Sequence, residues 1–336
     1  MKRIITLFIC VAAFRASAQD STMNNLTKDM DSQGPTEKKA VRIFDSEKLI
    51  NANTTELVGK GKMDFRIIHN FYDIAGSGGG VKSFFGIDNA TDVKIGFEIG
   101  LGNKLDALIA RTKGAESYHN IYSRVSRILE FGLKYKVMEQ RENDPQHPLS
   151  MLLFANTAVS TMTVPTLSPP YADSAETSFQ DLSERMSQVV QLNLAKKFDK
   201  VSLLLSATYV HRNRVLKGDQ KNIFALGGAT RIPLTARLAL IIDYFHPFHS
   251  DATKNFFKNP NSVVHPVIKF HDPLSVGFEI TTSGHVFHLN FTNTTEILEN
   301  RFIPRTVTSW GKGQFRWGFT ISRIFSLWRV KEKKQV

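Results

Sequence analysis

The chain has 336 residues, 43 Lys and Arg against 31 Asp and Glu, and a formal charge of +12, enough length for one large domain or two ordinary ones. Apolar runs of roughly 18 residues, which a helical membrane bundle needs, are missing. The basic residues are dispersed among acids, apart from short clusters at Lys38-Lys39 and Arg329 to Lys334, so nucleic-acid binding is not expected.

The N-terminus reads MKRIITLFICVAAFRASAQD. A basic start at Lys2 and Arg3, an apolar stretch from Ile4 to Phe14 and the small-x-small site Ala16-Ser17-Ala18 predict a secretory signal peptide over residues 1–18. Cys10, the only cysteine, would leave with it. Cysteine-ligated zinc and thiol catalysis are then excluded, and no disulfide can brace the exported chain. Residues 19–61 are expected to form a periplasmic leader, partly disordered. Its second part, AVRIFDSEKLINANTTELVGKGK, reads either as a strand or as a segment folded back into the main domain.

From Lys62 onward one pattern recurs. In KMDFRIIHNFY, Met63, Phe65, Ile67 and Phe71 alternate with Lys62, Asp64 and Arg66. DVKIGFEIGL sets Val93, Ile95, Phe97, Ile99 and Leu101 against Asp92, Lys94 and Glu98. NKLDALIAR places Asp106 opposite Leu105, Ala107 and Ile109, and ILEFGLKYKV places Glu130, Lys134 and Lys136 opposite an apolar row. LSMLLFANTAVS is apolar on both sides, so its facing stays ambiguous. QVVQLNLAKKF, KVSLLLSATYVH, glycine-rich NIFALGGATRI and ARLALIIDYF follow, the last with Arg237 and Asp243 on the polar row. LSVGFEITT with Glu279, HVFHLNFT with His288, and QFRWGFTISRIF with Arg316 complete the set.

These are about twelve segments of about ten residues, the length a tilted strand needs to cross a bilayer. Connections alternate between short (Gly102-Asn103, Lys197 to Lys200, Pro233 to Thr235, Ser283-Gly284) and long (Asp73 to Thr91, Thr112 to Arg127, Thr161 to Arg185, His211 to Lys221, Phe245 to Pro273, Thr294 to Gly313). Only Met138 to Pro148 is longer than its short siblings. Backbone polar groups in hydrocarbon must all be paired, so strands span only as a closed barrel. The expected fold is therefore all-β: a closed antiparallel up-and-down transmembrane β-barrel over residues 62–328. Short turns would face the periplasm and long loops the exterior, with a basic tail at 329–336. A soluble exported ligand-binding barrel is the inside-out alternative.

The stretches GKGKMDFRIIHNF, FFGIDNATDVKIGFEIGLGNKLDALIART and SVGFEITTSGHVFHLNFTNT resemble the Bacteroidota β-barrel family described as domain of unknown function 5777. Gly59-Lys60-Gly61, His69, Phe71 and Phe85-Gly86-Ile87-Asp88 carry the likeness, which runs from about Val41 to Trp328. The resemblance implies an outer-membrane barrel and brings no activity and no site residues.

Candidate chemistry is sparse. His246, His249, His265 and His271 share a long loop without rigid ligand spacing, and His285 and His288 fall on opposite faces of one strand, so no metal site is assigned. Ser206, Ser275 and Ser322 with His211 or His288 offer lipid-hydrolase parts, but no pair is brought together by spacing. GSGGGVKS, Gly76 to Ser83, lacks the glycine before lysine that a phosphate loop requires. There remain the inward charges Asp64, Arg66, Lys94, Glu98, Asp106, Glu130, Lys134, Arg237, Asp243, Glu279 and Arg316, which would tune a pore or fill a closed lumen. A filled or narrow lumen is favoured, because long Arg and Lys side chains point inward. The expected role is a narrow channel or a structural and docking component of the outer membrane, without enzymatic activity or cofactor. An outer-membrane lipid hydrolase is the alternative. Expected partners are outer-membrane lipid and lipopolysaccharide, the barrel-assembly machinery, and a small solute or ion.

Overall fold

Twelve strands close into one antiparallel barrel in the computed structural model, which describes residues 38–76, 78–114, 125–166, 175–262, 265 and 267–328. The expected signal peptide and basic tail lie outside these residues. The strands are β1 (Lys62–Asp73), β2 (Ala90–Gly100), β3 (Leu105–Thr112), β4 (Ile128–Met138), β5 (Ser150–Ser160) and β6 (Met186–Phe198). They continue as β7 (Val201–Arg212), β8 (Asn222–Pro233), β9 (Leu238–Pro247), β10 (Leu274–Thr281), β11 (His285–Thr292) and β12 (Arg316–Ser326). Each pairs with its chain neighbours, and β1 pairs with β12 from Lys62↔Ser326 to Asn70↔Gly318, so no edge is left unpaired. No helix among the described residues is long and apolar enough to cross a membrane; the crossing is made by strands.

Alternation sets the facing. Outward rows such as Ile95 and Phe97, Phe131 and Leu133, and Leu203 and Leu205 are exposed, whereas their polar neighbours are buried inside. A soluble barrel would bury those apolar rows, so the inside-out alternative is excluded. The ambiguous β5 is resolved: Leu152, Phe154, Asn156, Ala158 and Ser160 face inward, and Leu153 is exposed outside.

Residues 39–61 are not a leader outside the barrel. They enter at the short-turn end, where Val41 N–H donates to Gln140 O (2.8 Å) and Ser202 Oγ to Ile43 O (2.5 Å). They reach mid-lumen at Asn51, then return to β1 past Val58, whose N–H donates to Asp106 Oδ2 (2.6 Å). From the long-loop end, the β11–β12 connection descends through a short helix, α2 (Glu299–Phe302), to meet them. The wall is shaped for both insertions. Inward Leu152, Phe154, Val189, Leu204, Val210, Ile241 and Phe245, on β5 to β7 and β9, pack with Ile43, Phe44, Leu49, Ile50, Phe302 and Ile303 in one apolar cluster. Gly227 on β8 makes the room: a Cβ there would lie 2.6 Å from the Phe245 ring, which packs edge-on against Phe302 (5.4 Å, 66°).

Candidate functional site: the plugged lumen

On β1 to β4 and β10 to β12 the wall is ionic, and it is already paired. Arg66 Nη2 meets Asp64 Oδ2 (2.8 Å) and Glu47 Oε2 of the plug (2.9 Å). Lys94 pairs with Glu130 (2.5 Å) and Lys134 with Glu98 (2.7 Å). Arg231 donates to Glu279 (2.6 Å) and also binds plug residue Asp45, while His288 Nε2 lies 3.0 Å from the other Glu279 oxygen. Arg316 is fully buried against Asp73 (2.7 Å).

The wall carboxylates also hold backbone. Asp243 Oδ2 accepts the N–H groups of Asn51 (2.6 Å) and Ala52 (3.2 Å), and Asp92 accepts those of Gly114 (2.9 Å) and Ile297 (3.0 Å). Irregular backbone at membrane depth needs such partners, because lipid and a dry lumen offer no water. The two insertions are tied to each other. Lys48 Nζ of the plug pairs with Glu299 of α2 and donates to Asn51 O (2.9 Å), and Asn53 Nδ2 donates to Glu299 (3.1 Å). Burial alone would raise the Glu299 carboxyl, but Lys48 and Lys94 outweigh it and hold it below the usual carboxylate range. Burial pushes Glu47 the other way, up to about 7, with Arg66 opposing and the charges of Asp64 and Glu98 assisting.

A void of about 30 Å3 among Lys48, Arg66, Lys94, Glu98, Glu130 and Glu299 remains at this depth, room for on the order of one water. A vestibule of about 520 Å3 opens at the short-turn end between Arg42 and Asp45 on one side and β10 to β12 on the other, reaching Ser322.

The long-loop end is sealed by a second network. Glu176 receives Arg301 (2.7 Å) and Arg305 (2.9 Å) and lies 3.6 Å from Arg212. Asp219 receives Arg212 (3.0 Å) and Arg305 (2.6 Å). Burial would raise both carboxyls, but the surrounding guanidiniums keep them low. Above this, helix α1 (Asp251–Lys258), capped by Ser250 accepting from Thr253 N–H, packs Phe257 against Leu216 and Ile268.

Of the inward charges read from the sequence, Asp64, Arg66, Lys94, Glu98, Asp106, Glu130, Lys134, Asp243, Glu279 and Arg316 are all buried in the lumen. Arg237 is not: it sits exposed in the β8–β9 turn, because β9 begins only at Leu238. The partners Glu47, Lys48, Arg231 and Glu299 were not singled out in the sequence. The hydrolase parts do not converge. Ser206 donates to Asn193, Ser275 to Thr292 and Ser322 to Asp64, while His288 faces Glu279 and His211 faces Asn222. Nor do the loop histidines: His246 bonds Asp272, His249 bonds Pro304 O, and His265 stands against Phe256 and Phe257. In Gly76 to Ser83, apart from Ser77, Val81–Ser83 forms a single 3-10 turn with Lys82 exposed.

A closed antiparallel barrel with an apolar exterior band and an ionic interior is an outer-membrane β-barrel, and that is the class of this protein. Residues 44–325 match the family model described as "Membrane bound beta barrel domain (DUF5777)", and the chain belongs to that family. No curated protein matches it. Among solved structures it is similar to the KdgM porin (8% identity, 78% of this chain and 98% of that chain, TM-score 0.43). It is also similar to the COG4313 outer membrane channel from Pseudomonas putida F1 (11%, 79% and 96%, 0.41). A third likeness is to LpxR from Salmonella typhimurium (11%, 79% and 99%, 0.33).

Proposed function

We propose that the protein is a self-plugged outer-membrane barrel, closed at rest and serving as a structural and docking component of the envelope, without catalytic activity. One observation carries this reading: residues 39–61 and the β11–β12 loop enter from opposite ends and join at Lys48 and Glu299. Lumen-facing wall residues, among them Gln191, Asn193, Asp243 and Glu279, are at most 1% exposed. In planar bilayers the folded full-length protein is expected to give a flat current trace. Steady conductance steps from correctly folded protein would overturn the reading.

The polar wall behind the plug favours a second reading, a gated conduit for a small solute or ion. Asp106 and Asp243 would line a wetted passage once Val58, Asn51 and Ala52 withdrew. Conductance that is silent in the native chain and appears when both plug contacts are cut, in Asp106→Ala/Asp243→Ala, would select it. Lipopolysaccharide and the barrel-assembly machinery are proposed partners on the strength of the barrel class alone.

A further inference from the structure

The Phe-Phe-Gly-Ile-Asp motif is not used by the lumen. It lies in the β1–β2 connection, and within seven residues it exposes four large apolar side chains: Val81 (80%), Phe84 (62%), Phe85 (47%) and Ile87 (44%). Contiguous exposed apolar groups of this size mark a contact surface. Their presentation is built, not accidental. Phe84 (φ 45°) and Phe85 (φ 54°) both take the left-handed conformation, which bulky residues adopt only where the surroundings impose it. The surroundings are a tight cage of backbone hydrogen bonds: Phe85 N–H to Gly80 O, Gly86 N–H to Ser83 O and Ile87 N–H to Phe84 O. Gly86 is required, since a Cβ there would stand 2.3 Å from Tyr72 O.

Position identifies what covers the arch. Tyr72 N–H donates to Gly86 O and to Asn89 O, so the arch is fastened to the top of β1, one residue beyond Phe71. Phe71 belongs to an aromatic patch on the outward face of β1, β11 and β12. There His69 stacks on Phe319 (5.3 Å) and Trp317 lies against Phe291 (4.3 Å), and just ahead of β12 Phe315 stacks on Trp310 (4.5 Å). Aromatic girdles of this kind mark the lipid–water interface of outer-membrane barrels. The arch is fastened next to that lipid-facing surface, at the same end of β1, with exposed Lys82 available to a head-group phosphate.

We infer that the β1–β2 arch is a membrane foot: Val81, Phe84, Phe85 and Ile87 sit in the outer-leaflet interface and hold the barrel's depth at the β12–β1–β2 side. The occupant is lipid, not a protein partner.

Depth-dependent quenching tests this. Trp310, Trp317 and Trp328, the three native tryptophans, are replaced by Phe, and Phe84→Trp supplies the sole indole. The full-length protein is refolded into phosphatidylcholine vesicles whose acyl chains carry bromine near the head group or near the bilayer centre. Folding is checked by heat-modifiable migration. Shallow bromine should quench the Phe84→Trp indole as strongly as it quenches a variant retaining only Trp317, deep bromine should quench it less, and aqueous acrylamide should have little effect. Emission that ignores both brominated lipids but falls with acrylamide overturns the inference and leaves the arch as a face for a protein. Should Phe84→Trp fail to refold, Val81→Trp at the most exposed position gives the same two outcomes.

Discussion

Cutting the tie between the two insertions should loosen the plug by an amount set by which charge is stranded. Glu299 and Lys48 are buried, with side chains 1% and 7% exposed. Glu299→Gln leaves Lys48 with Asn51 O and without its direct counter-charge, only the more distant Glu130 still facing it, and removes a charge that also faces Lys94. A stranded buried cation costs about 3–5 kcal/mol. Lys48→Met is milder, because Glu299 keeps the Asn53 amide and the field of Lys94; its cost should fall at or below about 3 kcal/mol. Lys48→Met/Glu299→Met removes both charges together and should return to within about 1 kcal/mol of the native chain. The readout is native-state amide hydrogen exchange of residues 39–61 in detergent micelles, which reports local opening without unfolding the barrel. At about 1.4 kcal/mol per factor of ten, Glu299→Gln should speed exchange there on the order of a hundredfold to a few thousandfold. Unchanged exchange in Glu299→Gln, or a double variant no slower than Glu299→Gln, would refute the argument that this pair locks the lumen.

Four further outcomes follow from the same geometry. Gly227→Ala pushes a methyl into the Phe245 ring and through it against Phe302, so detergent-solubilised protein should lose about 1–3 kcal/mol in thermal or urea unfolding; an unchanged midpoint would count against the close fit. Glu176→Gln leaves Arg301 and Arg305 without their shared carboxylate, and trypsin should cut after these residues in the variant while the native chain resists. Because the Glu176 and Asp219 carboxyls are held low, the native seal should persist in mild acid and fail only as pH falls below the ordinary carboxylate range. Glu47 behaves oppositely. Its folded pKa stands near 7 against 4.5 when free, so the plug seat is tightest in acid, weakens as pH rises between those values and is level above. Exchange at residues 44–50, corrected for intrinsic rate, should therefore be slower in acid, and Glu47→Gln should reduce the trend.

Much of this molecule was legible in its sequence, and the legible part is what lipid enforces. A charge facing hydrocarbon at mid-membrane costs roughly 2–4 kcal/mol, so alternation in β1, β2 and β4 has to be strict, and Asp64, Lys94, Glu98, Glu130 and Lys134 could be placed inside by counting. The count failed at Arg237 for a local reason: the turn after Pro233 is longer than the alternation suggests, and polar turn residues mimic the inward row. Residues 39–61 obey no period because nothing periodic constrains them. Lys48, Asn51 and Asn53 answer to Glu299, Asp243 and Gln191, each on a different element, and Ile43 and Phe44 answer to an apolar patch assembled from several strands.

That patch is where the plug could have been foreseen. An aqueous lumen gives no reason for Leu152 and Phe154 on β5, Leu204 and Val210 on β7, and Ile241 and Phe245 on β9 to face inward, each beside an outward row that is already apolar. Buried apolar groups on both faces of a strand require two apolar neighbours. Lipid supplies one, and the second has to come from inside the cylinder. Two non-strand segments supply it: Ile43, Phe44, Leu49 and Ile50 before β1, and Phe302 and Ile303 before β12. The ambiguous facing of LSMLLFANTAVS was therefore a signal: strands that are greasy on both sides point to a filled lumen, although apolar residues in the β1–β2 and β9–β10 connections keep composition alone from naming the segment that fills it.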